Sequence, residues 1–287
     1  MIALTGAGGF IGSVLLGYLN KKGITNVVLF DDLPQEQQFK NLVGKQYISI
    51  HSTDEIFQDA AGITCVVHIG ADSNTLTTSW SSLYKTNVLS TRKWNQFCLH
   101  NDIPFIFTSS AAIYGNGQGP LNQYALSKLV SENETQGVIL RLFNVYGPNE
   151  NHKGRMASTP FHWFNQLKTD GNIKVFKDSS QYYRDFVWVE DVARTIHYFI
   201  ENYEEGIYDV GTGVSVDFDT VANNCIKSYG SGSIEYIEMP KDLRLQYQSN
   251  TRAGPDLPEL GVDISTFIPI DKGIELYYEY LKRSEFY

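Results

Sequence analysis

A tyrosine, a lysine and a serine in this sequence have the types and the spacing of an acid–base site. Tyr124 and Lys128 stand four residues apart in a segment with a helical pattern, so their side chains share one face. An ammonium beside a phenol favours the phenolate, and we expect Lys128 to lower the pKa of Tyr124 from about 10. Tyr124 would then exchange a proton with a substrate hydroxyl or carbonyl, while Ser110 holds the same oxygen.

Tyrosine–lysine pairs at this spacing also occur by chance, so the elements around them matter. Ser110 closely follows the strand-like run 104–108, and the pair lies in a predicted helix over about 122–133. Open parallel sheets bind ligands beyond the carboxyl ends of their strands. The residues that fall at such ends here are Gly9, Asp31, Gly70, Ser110 and Asn144.

The first twelve residues predict a dinucleotide site. An apolar run over 2–4 is followed by Gly6, Gly9 and Gly12, and a helical pattern begins at Phe10. The start of a helix attracts a pyrophosphate, because its backbone N–H groups and its dipole favour negative charge. The first glycine can make the tight turn, the second allows close backbone approach, and the third allows close packing of helix on strand.

A second strand-like run, 26–30, ends in Asp31 and Asp32, about twenty residues after the glycine turn. A carboxylate at this position accepts hydrogen bonds from an adenosine ribose. The alternative is a glycine-rich turn without a ligand, and the acidic pair argues against it. The two carboxylates would also repel the 2′-phosphate of NADP, which favours NAD.

The composition of the chain is that of an acidic globular enzyme. Among 287 residues, 42% are hydrophobic and 19% are charged. The net charge of −9 argues against a nucleic-acid surface, and no apolar run approaches the roughly 20 residues that span a bilayer. No basic leader precedes the first strand, and Cys65, Cys98 and Cys225 lack the spacing of metal ligands. We therefore expect a cytoplasmic protein with buried thiols and no metal.

Strand-like and helical runs alternate along the first two-thirds of the chain, which predicts a Rossmann-like, doubly wound parallel α/β sheet. We expect residues 1–148, with parts of 180–215, to form an NAD(P)-binding domain. Residues 149–287 should form mainly a smaller, interleaved α/β lobe for the substrate. Further strands are predicted at 47–50, 64–69, 137–142 and 206–210, and further helices at about 80–100, 161–168, 189–202 and 218–228.

Four motifs resemble those of the extended short-chain dehydrogenase/reductase family. They are T-G-A-G-G-F-I-G at 5–12, S-S-A-A-I-Y-G at 109–115, Y-A-L-S-K at 124–128 and R-L-F-N-V-Y-G-P at 141–148. Members of this family mostly act on nucleotide-diphosphate sugars, which they oxidise transiently. The cofactor-binding residues are then expected to be Gly6, Gly9, Phe10, Ile11, Gly12, Asp31, Asp32, Gly70, Ala71, Asn87, Tyr124, Lys128 and Val145.

A narrower resemblance is to the ADP-glyceromanno-heptose 6-epimerases within that family. Its specific element is H-K-G-x-M-A-S, found here within 144–158. The resemblance implies that one tightly bound NAD, or NADP, per subunit takes a hydride from C6 of the heptose and returns it to the other face of a 6-keto intermediate. Weaker matches, spread from residue 1 to about 250, lie at 161–162, 183–187, 208–213, 234–237 and 247–248.

The same resemblance assigns roles to individual residues. Tyr124 and Lys153 would be the two acid–base groups, with Lys128 tuning Tyr124 and Ser110 assisting. A lysine in a partly desolvated pocket can have its pKa lowered toward neutrality, as this role needs. The alternative for Lys153 is a lysine that binds phosphate or lies in a solvated loop.

The pocket for a nucleotide-diphosphate sugar would include Arg184, whose guanidinium offers a bidentate fork for the diphosphate. An internal ion pair with Asp185 or another acidic residue is the alternative for this arginine. Two histidines, His68 and His152, are interpreted as isolated and without a metal role. The expected substrate-binding residues are Asn144, Lys153, Arg155, His162, Phe176, Ser179, Arg184 and Tyr247.

The chain departs from the family pattern in three ways. Gln38 stands where relatives carry a lysine for the NADP phosphate, with Lys40 as a nearby substitute, and this favours NAD. Arg155 replaces a small polar residue and adds positive charge. The segments 111–123 and 129–143 are shorter than usual by several residues. Since they shape the pocket rim and the helix through which many relatives dimerise, a homo-oligomer is expected but not determined.

Other functions stay open. A UDP-hexose 4-epimerase, or another enzyme acting on a nucleotide sugar, would use the same serine, tyrosine and lysine, and only the substrate-lobe signature argues against it. A 4,6-dehydratase needs Asp-Glu after its catalytic serine or threonine, whereas this chain has Ala111 and Ala112. A non-catalytic NAD(P) sensor would usually have lost the tyrosine or the lysine, and both are present.

Overall fold

The structure is a computed structural model that describes residues 1–55, 62–245 and 247–284. The strands in these ranges are β1 (Ile2–Thr5), β2 (Val27–Phe30), β3 (Ser49–His51), β4 (Cys65–His68), β5 (Phe105–Ser110), β6 (Val138–Leu142), β7 (Asn144–Tyr146), β8 (Asn172–Phe176), β9 (Tyr183–Trp188), β10 (Gly206–Val210), β11 (Ser215–Asp217) and β12 (Ser233–Ile237). The helices are α1 (Phe10–Lys21), α2 (Glu36–Lys40), α3 (Trp80–Leu83), α4 (Ser90–Asn101), α5 (Gln123–Asn133), α6 (Thr159–Asp170), α7 (Val189–Glu201), α8 (Phe218–Tyr229), α9 (Lys241–Arg244), α10 (Asp256–Glu259) and α11 (Ile270–Ser284).

Seven strands form one parallel sheet in the order β3-β2-β1-β4-β5-β6-β10. All residues of β1, β2 and β4 are buried, which explains their nearly unbroken apolar sequences. After β1 the chain continues to β2 on one side of the sheet, and after β4 it continues to β5 on the other side. The carboxyl ends of the neighbouring strands β1 and β4 therefore open a crevice at this switch point. This strand order confirms the predicted Rossmann-like fold.

The loops after β1 and β4 approach each other so closely that only glycine fits between them. Gly6 has a φ of 67°, and a Cβ built on it would lie 2.7 Å from the Cα of Gly70. A Cβ on Gly12 would overlap the carbonyl oxygen of Gly6, which confirms the predicted packing of α1 on the strand. The resulting backbone cradle at the start of α1 fits a pyrophosphate.

The smaller lobe surrounds β9, which lies between β7 and β11 in a three-stranded sheet, while β8 pairs with β12. Its helices α6, α8 and α11 pack around these strands. The chain then returns to the large sheet through β10, so the two parts interleave. The core of this lobe is rich in aromatic side chains, among them Tyr146, Trp163, Phe164, Phe186, Trp188, Phe218 and Tyr277.

The predicted helix over 80–100 contains a feature that its periodicity did not indicate. A π-helical turn, Tyr84–Leu89, joins α3 to α4. It contains Asn87, whose side-chain amide donates to the carbonyl of Asp72 at 3.0 Å and to the hydroxyl of Ser127 at 2.9 Å. The widened turn thus ties the loop after β4 to helix α5. Within the described ranges, no helix has both the length and the apolar character needed to cross a bilayer.

His68 is held by hydrogen bonds to two threonine hydroxyls. Its side chain is 1% exposed at the end of β4, with Nδ1 2.8 Å from the Thr5 hydroxyl and Nε2 3.1 Å from the Thr91 hydroxyl. Thr91 in turn donates to the carbonyl of Asn87 at 2.6 Å. Burial lowers the pKa of His68 to about 3, so the ring is neutral near pH 7.

We expect His68 to make the free energy of unfolding fall by about 2 kcal/mol between pH 7 and pH 5. In the unfolded chain a histidine takes up a proton near pH 6.5, whereas the buried ring resists protonation down to about pH 3. Its contribution is therefore complete above pH 6.5 and is lost as the pH falls toward 3. Urea unfolding of the wild type and His68→Gln at both pH values measures this difference. Equal losses in the two proteins would contradict it.

Candidate active site

Ser110 and Tyr124 meet at the carboxyl end of β5. Ser110 is the last residue of that strand, and its hydroxyl accepts from the backbone N–H of Ala112 at 3.2 Å. Asn122 caps α5 by accepting from the N–H of Ala125 at 2.9 Å, so Tyr124 lies in the first turn of the helix. The Ser110 side chain lies close enough to the Tyr124 phenol to act as a donor that lowers its pKa. The two groups that the sequence singled out are therefore in contact.

The pKa of Tyr124 is raised, which corrects the expectation that Lys128 would lower it. Desolvation of the phenol is the largest cause, donation by Ser110 opposes it, and the negative charge of Asp72 adds to it. Spacing along a helix predicts which side chains share a face but does not account for the burial of that face. Tyr124 is consequently a phenol near neutral pH.

Lys128 is held by the strand beneath it. Its Nζ donates to the carbonyl oxygen of Thr108 at 2.9 Å and lies 4.9 Å from the centre of the Phe107 ring. The side chain is 4% exposed, and burial lowers the pKa of Lys128 to about 8, with the charge of Glu132 opposing the shift. An amine so placed can gain or lose its proton near physiological pH.

Asp31 faces the glycine turn from the end of β2. One of its carboxylate oxygens accepts from the N–H of Gly8 at 2.9 Å, and the other accepts from the N–H of Leu33 at 2.9 Å. This orientation is the one that brings a carboxylate beside an adenosine ribose in a dinucleotide site.

Asp32 is oriented differently from Asp31, although both were predicted to bind the cofactor. Its carboxylate accepts from the Ser52 hydroxyl at 2.7 Å and from the N–H of Thr53 at 3.0 Å, with a further bond from the Thr53 hydroxyl. These bonds keep the pKa of Asp32 below its usual value despite some burial. The carboxylate thus anchors the loop after β3.

The two residues considered for an NADP phosphate are engaged elsewhere. The side chain of Gln38 accepts from the N–H of Gln35 at 3.1 Å, within the first turn of α2. The ammonium of Lys40 lies 2.8 Å from the Glu36 carboxylate on the exposed face of that helix. Both contacts weaken the case for a 2′-phosphate site.

Lys153 lies beside the dinucleotide crevice. It belongs to the 3₁₀ turn Asn151–Met156, and its Nζ is 5.3 Å from the centre of the Phe10 ring at the start of α1. Desolvation lowers the pKa of Lys153, while the charge of Glu150 opposes the shift. The direction is the one that an acid–base role requires.

A cavity of about 130 Å³ in the smaller lobe brings together several predicted substrate residues. Phe176, Ser179 and Tyr247 line it. The guanidinium of Arg184 lies 4.8 Å from the Tyr247 ring centre and 5.5 Å from that of Phe218. The aromatic walls suit a flat ring, and the adjacent guanidinium suits an anion. Sequence analysis had not singled out the remaining lining residues, which are Thr159, Trp163, Lys174, Val175, Tyr182 and Phe218.

The proposed alternative for Arg184, an ion pair with Asp185, does not fit the strand that carries them. Neighbouring residues of β9 point to opposite faces. The Asp185 carboxylate accepts from the N–H groups of Thr212 and Gly213, both at 2.8 Å, on its own face. Arg184 donates to the carbonyl of Tyr183 at 2.8 Å on the other side of the strand.

Four predicted substrate residues lie apart from this cavity, and one of them is Lys153 over Phe10. Arg155 is exposed in the turn that carries Lys153, and His162 packs on Phe161 along α6, both outside the set of described residues that line the cavity. The side-chain oxygen of Asn144 accepts from the Thr251 hydroxyl at 3.3 Å. These residues would have to contact other parts of a bound ligand.

Comparison with known proteins identifies the class of this site. Residues 2–211 match the model of the NAD dependent epimerase/dehydratase family. The chain is also 37% identical, over 316 aligned residues, to the ADP-L-glycero-D-manno-heptose-6-epimerase of Brachyspira hyodysenteriae, with 99% of this chain and 98% of that protein covered. The chain therefore belongs to the NAD dependent epimerase/dehydratase family, and this membership supports NAD binding by the protein.

Solved structures share the fold. The ADP-L-glycero-D-manno-heptose-6-epimerase of Helicobacter pylori superposes with a TM-score of 0.83 at 24% identity, covering 98% of this chain and 96% of that one. The UDP-glucuronic acid 4-epimerase of Bacillus cereus, solved with UDP-glucuronic acid and NAD, gives 0.83 at 23% identity, covering 98% and 99%. At these identities the likeness establishes the architecture alone.

We expect Asp31→Asn to weaken NAD binding roughly 10- to 100-fold, because a hydrogen bond to a charged group contributes about 1.5–3 kcal/mol. Isothermal titration calorimetry on cofactor-stripped protein measures the loss. Asp32→Asn is the matched control, since its carboxylate bonds to Ser52 and Thr53 instead of the glycine turn. Equal losses of NAD affinity in both variants would refute the distinction.

Proposed function

We propose that this protein is a nucleotide-sugar epimerase that inverts C6 of ADP-glyceromanno-heptose by transient oxidation with bound NAD. The proposal is carried by the position of Lys153, a second amine besides Lys128. Its ammonium lies over Phe10 at the same crevice that has Ser110 and Tyr124 at its edge. The 37% identity over the whole chain to a heptose epimerase supports the same substrate.

Two acid–base groups suit the chemistry of inversion. NAD, when bound, supplies the acceptor that takes the C6 hydride and gives it back. Tyr124, close to Ser110, would exchange the hydroxyl proton in one orientation of the sugar. Once the 6-keto intermediate has turned its other face toward the cofactor, its C6 oxygen lies at a different place in the pocket. Lys153 would exchange the proton at that place.

The raised pKa of Tyr124 is compatible with this role. The phenol is an acid and a hydrogen-bond donor in the resting site, and positive charge close to it would favour the phenolate. Lys128 lies on the same helical face, and its pKa of about 8 lets it hold that charge below this pH. Its amine would also donate to a ribose hydroxyl in the crevice.

The aromatic cavity of the smaller lobe would hold the nucleotide. A purine ring can pack against an aromatic wall of this cavity such as Phe176, and the guanidinium of Arg184 beside Tyr247 can bind a diphosphate in a bidentate manner. In this proposal, residues 1–148 together with β10 and α7 bind the cofactor, and residues 149–287 mainly bind the substrate.

We further propose that NAD is preferred to NADP and is retained through the cycle, one per subunit. Asp31 beside the glycine turn and the ion pair of Lys40 with Glu36 support this preference. Retention follows from the chemistry, because the hydride must return to the sugar that released it. A cytoplasmic location and a homo-oligomeric state remain predictions from the sequence.

Proton NMR of ADP-D-glycero-D-manno-heptose with the purified protein tests the proposal. We expect signals of the L-glycero epimer to appear without added cofactor, because retained NAD is regenerated in each cycle. A spectrum that stays unchanged after addition of NAD and of NADP would reject ADP-heptose as the substrate. GDP-heptoses and UDP-hexoses in parallel tubes separate a different substrate from a protein that does not turn over.

We expect Tyr124→Phe and Lys153→Met each to lower kcat by roughly 10²- to 10⁴-fold, the usual contribution of a positioned acid–base group. Neither side chain provides the main contacts for the nucleotide, so substrate affinity should change little. Initial rates and equilibrium binding separate the two effects. Tyr236→Phe and Lys227→Met, at exposed positions, are the matched controls. Full activity of Lys153→Met would leave Tyr124 as the one acid–base group.

A further inference from the structure

Glu150 is a carboxylate with no exposed surface, three residues before Lys153. One of its oxygens accepts from the N–H of Ser158 at 2.5 Å. The other accepts from the Ser158 hydroxyl at 2.6 Å and from the Tyr277 hydroxyl at 2.7 Å. A carboxylate this far from water is costly unless donors surround it, and three are supplied here by two residues.

These hydrogen bonds close the turn that carries Lys153. Glu150 and Ser158 flank the turn Asn151–Met156, so their contact pins its two ends together. The N–H of Lys153 also donates to the carbonyl of Glu150 at 2.9 Å. Ser158 caps α6 by accepting from the N–H of Phe161, which couples the turn to that helix.

The same turn is fastened to both sides of the crevice. Tyr277 of α11 is fully buried, with its ring 6.2 Å from that of Trp188. One turn further, the Tyr280 hydroxyl donates to the side chain of Asn149 at 3.0 Å. The amide of Asn149 donates to the Ser13 hydroxyl of α1 at 3.0 Å. A continuous series of bonds therefore runs from the carboxyl-terminal helix to the helix behind the glycine turn.

We propose that Glu150 is a positioning residue for the epimerisation, which holds the Lys153 ammonium at the crevice through its bonds to Ser158 and Tyr277 and through its own negative charge. The assignment rests on the proposed function of Lys153. Glu150 itself touches neither the sugar nor the cofactor in this scheme.

The charges around Lys153 determine in which direction its pKa should change when Glu150 is substituted. Burial lowers the pKa of Lys153, and the charge of Glu150 opposes this shift. The pKa of the neighbouring His152 is lowered by burial and by the charge of Lys153, while Asp31 opposes that shift. Burial raises the pKa of Glu150, while the donors from Ser158 and Tyr277 and the nearby ammonium oppose that rise. Removing the charge of Glu150 should therefore lower the pKa of Lys153 further.

The test is the pKa of Lys153 in the holoenzyme, measured by NMR of protein with ¹³C-labelled lysine side chains. The signal that disappears in Lys153→Met provides the assignment. In Glu150→Gln we expect the pKa to fall by about one unit, with the corresponding limb of the kcat pH profile moving equally. Glu259→Gln, at an exposed position on α10, should move neither. An unchanged pKa in Glu150→Gln would overturn the proposal.

A second variant keeps the test valid if Glu150→Gln fails to fold. The double change Ser158→Ala with Tyr277→Phe retains the carboxylate but removes two hydroxyl donors, so Glu150 should take up a proton more readily and the pKa of Lys153 should fall in the same direction. An unchanged pKa there would also refute the role. A shifted Lys153 pKa in a protein that epimerises no heptose would reject the proposed function while leaving the electrostatic coupling intact.

Discussion

The site depends on the close approach of two loops at the switch point of the sheet. A side chain on Gly6 would collide with Gly70, so the backbones after β1 and β4 define the crevice directly. Beneath them, His68 bonds to Thr5 on one strand and to Thr91 on α4. The neutral ring fits because each of its nitrogens meets a hydroxyl that can donate or accept. The crevice is therefore supported both by the close packing of its two loops and by the buried hydrogen bonds of His68.

Desolvation, more than pairwise charge, determines the resting state of the ionisable groups. It raises the pKa of Tyr124 and lowers those of Lys128 and Lys153. All three shifts favour the neutral forms, since a low-dielectric site disfavours charge of either sign. Such a site responds strongly to the next charge that enters it. Asp72, Glu132 and Glu150, each near one of the three, accordingly raise the pKa of their neighbour.

Most of the fold, but only part of the site, could be predicted from the sequence. Buried parallel strands and glycine spacing are local signals, and they predicted the large sheet and the packing at Gly12. What the sequence could not indicate are contacts between residues that are distant along the chain. Asp32 bonds to Ser52 and Thr53, and His68 to Thr5 and Thr91, contacts that no spacing rule indicates. Of the nine described residues that line the cavity of the smaller lobe, three were recognised from the sequence, because others, such as Trp163 and Phe218, come from helices that meet only in the folded lobe.

The turn after β7 is joined by hydrogen bonds both to the glycine turn of the large sheet and to the smaller lobe. Asn41 donates to the carbonyls of Gly8 and Asn149, at 3.0 and 3.1 Å, and so links the glycine turn to the start of the Lys153 segment. The same end of that segment reaches α11 through Glu150 and Tyr277, and Glu150 also bonds to Ser158 at the far end. A buried carboxylate is a costly way to join two elements, and an apolar contact could do the same at lower cost. Its retention beside an amine is understandable if the charge itself is needed, because an apolar contact would position the turn but leave the pKa of Lys153 lower.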